Sequence, residues 1–186
     1  ESITTIGQSV FEGCENLLTV TFEGESNLDH LPAWAFEGAI NLRSVTFEEG
    51  NNLKIIEAQA FKGLSSLERV SLEYCTRLTT IDNFAFQDCS ALASIQLPDS
   101  LEEIGRYAFY GCRSLSELTI PANVSFIGRY AFAYTPSIRL YFEGGALPPE
   151  LADGWDLGVG GYALGQSETY THGDWTYTLT NVGAAS

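Results

Sequence analysis

Few residues in this chain are equipped for covalent or acid–base chemistry. There are two histidines, His30 and His172. His30 follows Asp29 in a turn, and neither histidine accompanies a Gly-x-Ser-x-Gly elbow or another nucleophile motif. With 24 Asp and Glu residues, carboxylate pairs at glycosidase separation arise by chance and carry no signal. The run Gly158-Val159-Gly160-Gly161 has no strand-to-helix setting, and no Walker or dinucleotide loop occurs. None of the four cysteines, Cys14, Cys75, Cys89 and Cys112, has zinc-ligand spacing, and no loop alternates Asp and Asn as a calcium loop does. No catalytic residue, metal site or cofactor is expected. What remains suited to function is recognition: carboxylates at Glu23, Glu48 and Glu73, and rings at Trp34, Phe84, Tyr107 and Tyr130, recurring at a fixed spacing.

That spacing belongs to a phrase repeated six times, clearest at 101–121, whose anchor is a phenylalanine usually preceded by alanine: Phe11, Phe36, Phe61, Phe86, Phe109 and Phe132. Anchors are 25 residues apart in the first four repeats and 23 thereafter, a period that marks a solenoid. Five places before the anchor stands Ile6, Leu31, Ile56, Ile81, Ile104 or Ile127, and eight before, Ile3, Leu28, Leu53, Leu78, Leu101 or Val124. Six after comes Leu17, Leu42, Leu67, Leu92, Leu115 or Ile138. Nine and eleven after come Val20/Phe22, Val45/Phe47, Val70/Leu72, Ile95/Leu97 and Leu118/Ile120; the sixth repeat slips by one to Leu140/Phe142. One repeat alone cannot bury enough apolar surface to offset its ordering entropy, whereas stacked coils merge these columns into one core.

Each repeat reads as a coil of three sides. Alternation in Thr19-Val20-Thr21-Phe22 and its equivalents predicts a strand, and stacking makes a parallel sheet. A turn then leads to a short extended piece ending at the aliphatic five before the anchor. The Ala-Phe segment is long enough for a short helical turn, closed by Gly13, Gly38, Gly63 or Gly111 as a left-handed C-terminus. Pro98 and Pro121 end the strand in the later repeats. Cys14, Cys89 and Cys112 share the third place after the anchor with Ala39, Leu64 and Thr135, which reads as a buried small apolar slot. Cys89 and Cys112 fall in adjacent coils, where a disulfide is conceivable.

Net charge is −15, with 9 basic residues against 24 acidic. That excludes nucleic acid, whose affinity rests on Lys and Arg against phosphates, and an anionic membrane surface. No apolar run approaches the 18 residues of a membrane span. Methionine is absent and the chain opens at Glu1 almost mid-phrase, which reads as a processed or excised, monomeric fragment of a longer chain.

The phrase Ile104-Gly-Arg-Tyr-Ala-Phe-Tyr-Gly-Cys112, then Leu115, Leu118 and Ile120-Pro121, resembles the BspA-like leucine-rich repeats of bacterial surface proteins. The resemblance covers 3–143. It implies a right-handed leucine-rich repeat solenoid with a parallel concave sheet, extracellular or cell-surface location, and adhesion to host or cell-surface proteins, with no catalytic residues to carry over. The array is expected over 1–143 and a β-containing C-terminal cap, or the start of a following β segment, over 144–186. Within the tail, 151–165 shows no clear period, while Trp175, Tyr177 and Leu179 alternate with threonines as a strand. Partner binding is expected on the concave sheet at Thr19, Thr21, Glu23, Thr46, Glu48, Arg69, Ser71, Glu73, Gln96 and Thr119. The three glutamates, one repeat apart, are expected to repel each other. The alternatives are glycan binding by the aromatic stripe Trp34, Phe84, Tyr107 and Tyr130, whose rings would otherwise stack on one another, and an architectural spacer within a larger surface protein.

Overall fold

The computed structural model describes residues 5–24, 27–135, 138–152, 154–155, 161–164, 169–172 and 175–178. Each coil contributes two strands to a solenoid of parallel sheets. The strands that carry the alternating pattern are β1 (Thr19–Phe22), β3 (Ser44–Phe47), β5 (Arg69–Ser71), β7 (Ser94–Ile95), β9 (Glu117–Ile120), β11 (Arg139–Phe142) and β13 (Gly161–Leu164). Between them fall the two-residue strands β2 (His30–Leu31), β4 (Ile55–Ile56), β6 (Thr80–Ile81), β8 (Glu103–Ile104), β10 (Phe126–Ile127) and β12 (Glu150–Leu151). The register is set by the hydrophobic columns: Val20, Val45, Val70 and Ile95 align, as do Leu31, Ile56, Ile81, Ile104, Ile127 and Leu151. Leu140 opposes Leu118 and Phe142 opposes Ile120, so the one-residue slip of the sixth repeat is absorbed before the strand.

The short strands form one six-stranded sheet, but the long ones divide into β1-β3-β5-β7 and β9-β11-β13. The break falls where the period shortens from 25 to 23. Where no proline intervenes, the residue after the long strand donates its N–H to the preceding coil, Glu48 to Phe22 O at 3.0 Å and Glu143 to Ile120 O at 3.1 Å. Pro98 and Pro121 occupy that place with no N–H to give.

On the remaining side no helix forms among the described residues, which corrects the expected helical turn. The Ala-Phe segments are instead chains of tight turns. In the fourth repeat, Ala85 N donates to Asp82 O, Gln87 N to Phe84 O, Cys89 N to Phe86 O and Leu92 N to Cys89 O, each three residues back. The intervening N–H groups reach sideways: Phe84 to Arg106 O at 2.9 Å, Phe86 to Ala108 O at 2.8 Å and Asp88 to Tyr110 O at 2.7 Å. A helix would direct them all along its own axis. The backbone also turns left-handed twice per coil, two places before the anchor and two after, with Phe84 at φ 60° and Asp88 at φ 58° in this repeat. Either residue interrupts a right-handed helix.

Inside, the anchor rings form a continuous stack. Successive phenylalanines from Phe11 to Phe132 lie 4.9, 5.2, 4.8, 5.2 and 5.7 Å apart, all nearly parallel. This matches the spacing of hydrogen-bonded strands, so rings and backbone keep one step. The rings from Phe36 onward are fully buried, whereas Phe11, in the first of the described coils, is half-buried.

All four cysteines are free, Cys89 and Cys112 included. Their slot does more than fill space. Cys89 Sγ donates to Phe61 O at 3.0 Å, Cys112 Sγ to Phe86 O at 3.1 Å, and Thr135 Oγ1 to Phe109 O at 2.7 Å. Each links a coil to the anchor carbonyl of the one before. Burial pushes the Cys89 thiol up and raises those of Cys112 and Cys75 to about 12, against an ordinary value of 9.0, which keeps them protonated.

The parallel registers run beyond Glu143: β12 pairs with β10 and β13 with β11. Trp155 is buried edge-on against Phe142, 6.0 Å between ring centres. Further on, β14 (Thr169–His172) and β15 (Trp175–Thr178) form an antiparallel pair. Side chains beyond Trp155, and Leu179 altogether, lie outside the described residues, as do Ile3 and the glycine run at 158–160.

Three outcomes follow from this packing. Phe86→Ala is expected to cost about 3–5 kcal/mol in denaturant unfolding, and Phe11→Ala about half of that or less, since its ring is covered on one face only; equal losses at the two sites would contradict the stack. A chain ended after Glu143 loses β12, β13 and Trp155 and is expected to aggregate; a soluble, monomeric 1–143 by light scattering would show that the tail does not shield the last coil. Cys112→Ala is expected to lower stability by about 1–2 kcal/mol and Cys112→Thr by less, the hydroxyl replacing the thiol donor. Because the folded thiol pKa values lie above the unfolded one, their stabilising contribution is complete below pH 9.0 and declines as pH rises towards about 12. Cys112→Thr should flatten that alkaline decline, and an unaltered pH profile would oppose the assignment.

Candidate interaction surface

Period-two alternation on the long strands sends one set of side chains inward and the other to solvent. On the outward set Thr19, Thr21, Arg69, Gln96 and Thr119 are exposed and Thr46 half-buried. Ser71 is the exception and a correction to its expected presentation: it is buried, 4% exposed. Arg69 Nη2 and Glu73 Oε1 meet at 3.8 Å. They flank Ser71 two residues to either side, and Thr46 of the neighbouring strand stands opposite it. Patterning shows which face a residue takes but not how far it is exposed there.

Glu23, Glu48 and Glu73 are all exposed at the strand ends. Their expected mutual repulsion is relieved locally: Gly24 N donates to Glu48 Oε2 at 3.4 Å, and Glu73 is paired with Arg69. Coil-to-coil ion pairs also line the surface, Arg43 with Glu68 at 3.1 Å, Lys54 with Asp29 at 3.4 Å and Arg139 with Glu117 at 3.9 Å. Exposed pairs of this kind are worth about 0–1 kcal/mol each, so they shape the charge pattern more than they hold the fold.

His30 is engaged in structure. Its Nδ1 lies 3.1 Å from Glu57 Oε1, while Glu57 Oε2 accepts the N–H of Ala33 at 3.0 Å. The glutamate therefore clamps a turn of the preceding coil. The side chain of His172 lies outside the described residues.

The aromatic stripe falls on the turn side. Trp34, Phe84, Tyr107 and Tyr130 all occupy the left-handed place two before the anchor, at φ 53°, 60°, 56° and 58°. Phe84 and Tyr107 stack at 5.1 Å and 7°; Tyr107 meets Tyr130 at 5.2 Å, tilted by 55°. Tyr110 joins Tyr107 at 5.6 Å and Tyr134 at 5.0 Å, extending the ring cluster. Phe84, Tyr107 and Tyr130 thus partly cover one another, whereas Trp34, with no ring partner among the described residues, is 37% exposed and Tyr134 66%. Sequence reading missed the cations of this side. Lys62 Nζ stands 5.9 Å from the Phe84 ring centre, and Arg106 stands 5.7 Å from both Phe84 and Tyr107. Arg129 lies 4.6 Å from the Tyr130 ring centre. The signal was present in the dipeptides Arg106-Tyr107 and Arg129-Tyr130, one repeat apart.

Comparison with known proteins places this geometry in context. Residues 1–76 match the BspA type leucine rich repeat region, in six copies. Among solved structures, the leucine-rich repeat protein of T. pallidum is 29% identical, with a TM-score of 0.57 over 65% of this chain and 58% of its own. A leucine-rich repeat protein from Bacteroides ovatus shows 15% identity and a TM-score of 0.47 over 85% of this chain and 58% of its own. A leucine rich cell surface protein from Faecalibacterium prausnitzii shows 25% and 0.46, over 74% and 42%. The chain therefore spans little more than half the length of the first two, and less of the third. No curated protein matches significantly. The anchor stack and parallel ladders are those of a leucine-rich repeat solenoid, and residues 1–76 are similar to the BspA type of such repeats.

Proposed function

We propose that the chain is a non-catalytic protein-interaction module, working at a bacterial cell surface or in secreted form and binding a protein partner through its long-strand face. The observation that supports this best is the ladder of mostly short polar side chains on β1, β3, β5 and β7, held in register by inward columns that are partly buried in β1 and buried from β3 on. Such a face is rigid before binding, so little entropy is lost on association. Exposed Thr19, Thr21 and Gln96 offer hydrogen bonds, and the rim of Glu23, Glu48 and Glu73 gives the face a negative edge that suits a basic patch on the partner. Surface location and adhesion rest on the BspA type of the repeats.

The test is retention of extracellular and cell-surface proteins on the immobilised chain, at physiological and at high salt. A specific partner should be retained at low salt and released at high salt. Glu48→Lys combined with Glu73→Lys should weaken its retention about tenfold without lowering the unfolding midpoint. A partner held equally well by wild type and by the double variant would remove the strand face from the reading.

A further inference from the structure

The turn side changes character along the solenoid. Three places before the anchor the side chains run Gln8, Ala33, Ala58, Asn83, Arg106 and Arg129, and one place after it Glu12, Glu37, Lys62, Gln87, Tyr110 and Ala133. In these two columns the first two coils carry carboxylates and the later ones cations and phenols, while Glu57, Asp82 and the exposed Asp88 keep carboxylates on the same side of the third and fourth coils. In a chain with 24 acidic and 9 basic residues, a cation should readily find an acid. Arg43, Lys54, Arg69 and Arg139 do so. Among the described residues Lys62, Arg106 and Arg129 form no ion pair, as Arg77 and Arg113 form none, but these three lie by rings, with Lys62 Nζ also donating to Gln59 Oε1 at 3.1 Å.

A guanidinium held beside a ring has already given up much of its rotamer freedom and keeps N–H donors for an incoming carboxylate, although at Arg129 one of them, Nη2, is already given to the Tyr130 hydroxyl at 2.8 Å. Arginine and tyrosine together are also the residues that concentrate binding energy at protein interfaces. The overall charge of −15 does not decide the contact, because charges more than about 8 Å away are largely screened at physiological salt. Ring orientation narrows the ligand further. Phe84 and Tyr107 spend facing surfaces on each other, 7° from parallel. A sugar or a nucleobase needs an open ring face to stack on. A polypeptide needs only ring edges, hydroxyls and paired donors.

We propose that the ridge of Lys62, Phe84, Arg106, Tyr107, Arg129 and Tyr130 docks an acidic polypeptide segment, with carboxylates on the two guanidiniums and the chain laid across the ring edges. This site is separate from the long-strand face and stands whether or not that face binds. The test is fluorescence anisotropy of labelled poly-L-glutamate with the full chain, in competition with polygalacturonate, alongside sedimentation of the chain alone. The anionic probe should bind an anionic protein, and added salt should release it. Arg106→Gln with Arg129→Gln should weaken binding about tenfold or more at an unchanged thermal midpoint. Arg106→Lys should recover only part of that loss if it is made with Arg129 restored, since the charge remains but the paired donors do not. Glu48→Lys with Glu73→Lys should not weaken the probe, which separates failure here from failure of the strand face. No binding, or binding indifferent to the arginine variants, overturns the proposal. So does polygalacturonate outcompeting polyglutamate at equal charge, which would assign the ridge to polysaccharide. Self-association lost in the arginine variants would assign it to a second copy of the chain and overturn it equally.

Discussion

The whole structure depends on the contact between one coil and the next at about 5 Å. Two independent ladders impose that distance. Backbone N–H and C=O groups on all three sides reach the neighbouring coil, and the anchor phenylalanines stack between 4.8 and 5.7 Å apart. Neither works alone. The backbone groups need partners because the core they border excludes water. The rings need a fixed step because a stack that drifted would open voids along its length. Where coils lose two residues the constraint tightens: a Cβ on Gly105 would stand 2.6 Å from Asn83 N, and one on Gly128 would meet Arg106 N. The same place holds Gly7, Pro32, Glu57 and Asp82 in the longer repeats, and a Cβ on Gly7 would meet nothing within 4 Å, so the close approach belongs to the two later coils.

The same contact explains why the turn side is not helical. A turn whose N–H groups alternate between its own carbonyls and those of the next coil gives most of its donors a partner while keeping the sheet-like step. It requires left-handed backbone twice per coil. Glycine takes the second place in four repeats, but Asp88 and Tyr134 take it in the others, at φ 58° and 55°. At the first place there is no glycine in any of the six repeats, and rings occupy four of them. A left-handed non-glycine residue costs roughly 1–2 kcal/mol, comparable with what ring stacking and a cation over the ring return.

This is also where sequence and structure part company. The columns that point inward were legible because stacking forces them to be alike: Leu31, Ile56 and Ile81 are near-identical because each packs on the last. The helical turn was misread because alanine, phenylalanine and a closing glycine fit a short helix as well as a laddered turn, and sideways hydrogen bonds leave no trace in composition. The strands β12 and β13 were hidden for a related reason. Glycines dilute the period across 151–165, and parallel pairing there is set by the neighbouring coil more than by local pattern. Ser71 shows the limit at the surface, where an outward place in the alternation is nonetheless buried.

Surface positions escape the rule that makes the core legible, and for that reason they carry the information about function. An inward residue must match its counterpart one coil away; an outward one need only avoid clashing with it. On the long strands that freedom is used sparingly, with threonine, serine and glutamine filling most outward places. In two columns of the turn side it is used to change sign, from Glu12 and Glu37 to Lys62, Arg106 and Arg129 within five coil steps. Core packing does not require such a gradient, since the anchor stack runs unbroken beneath it. A ligand laid along the turn side would therefore meet a directional surface and be oriented by it, whereas one laid on the strand face would be held by shape and hydrogen bonds with charge only at its edge.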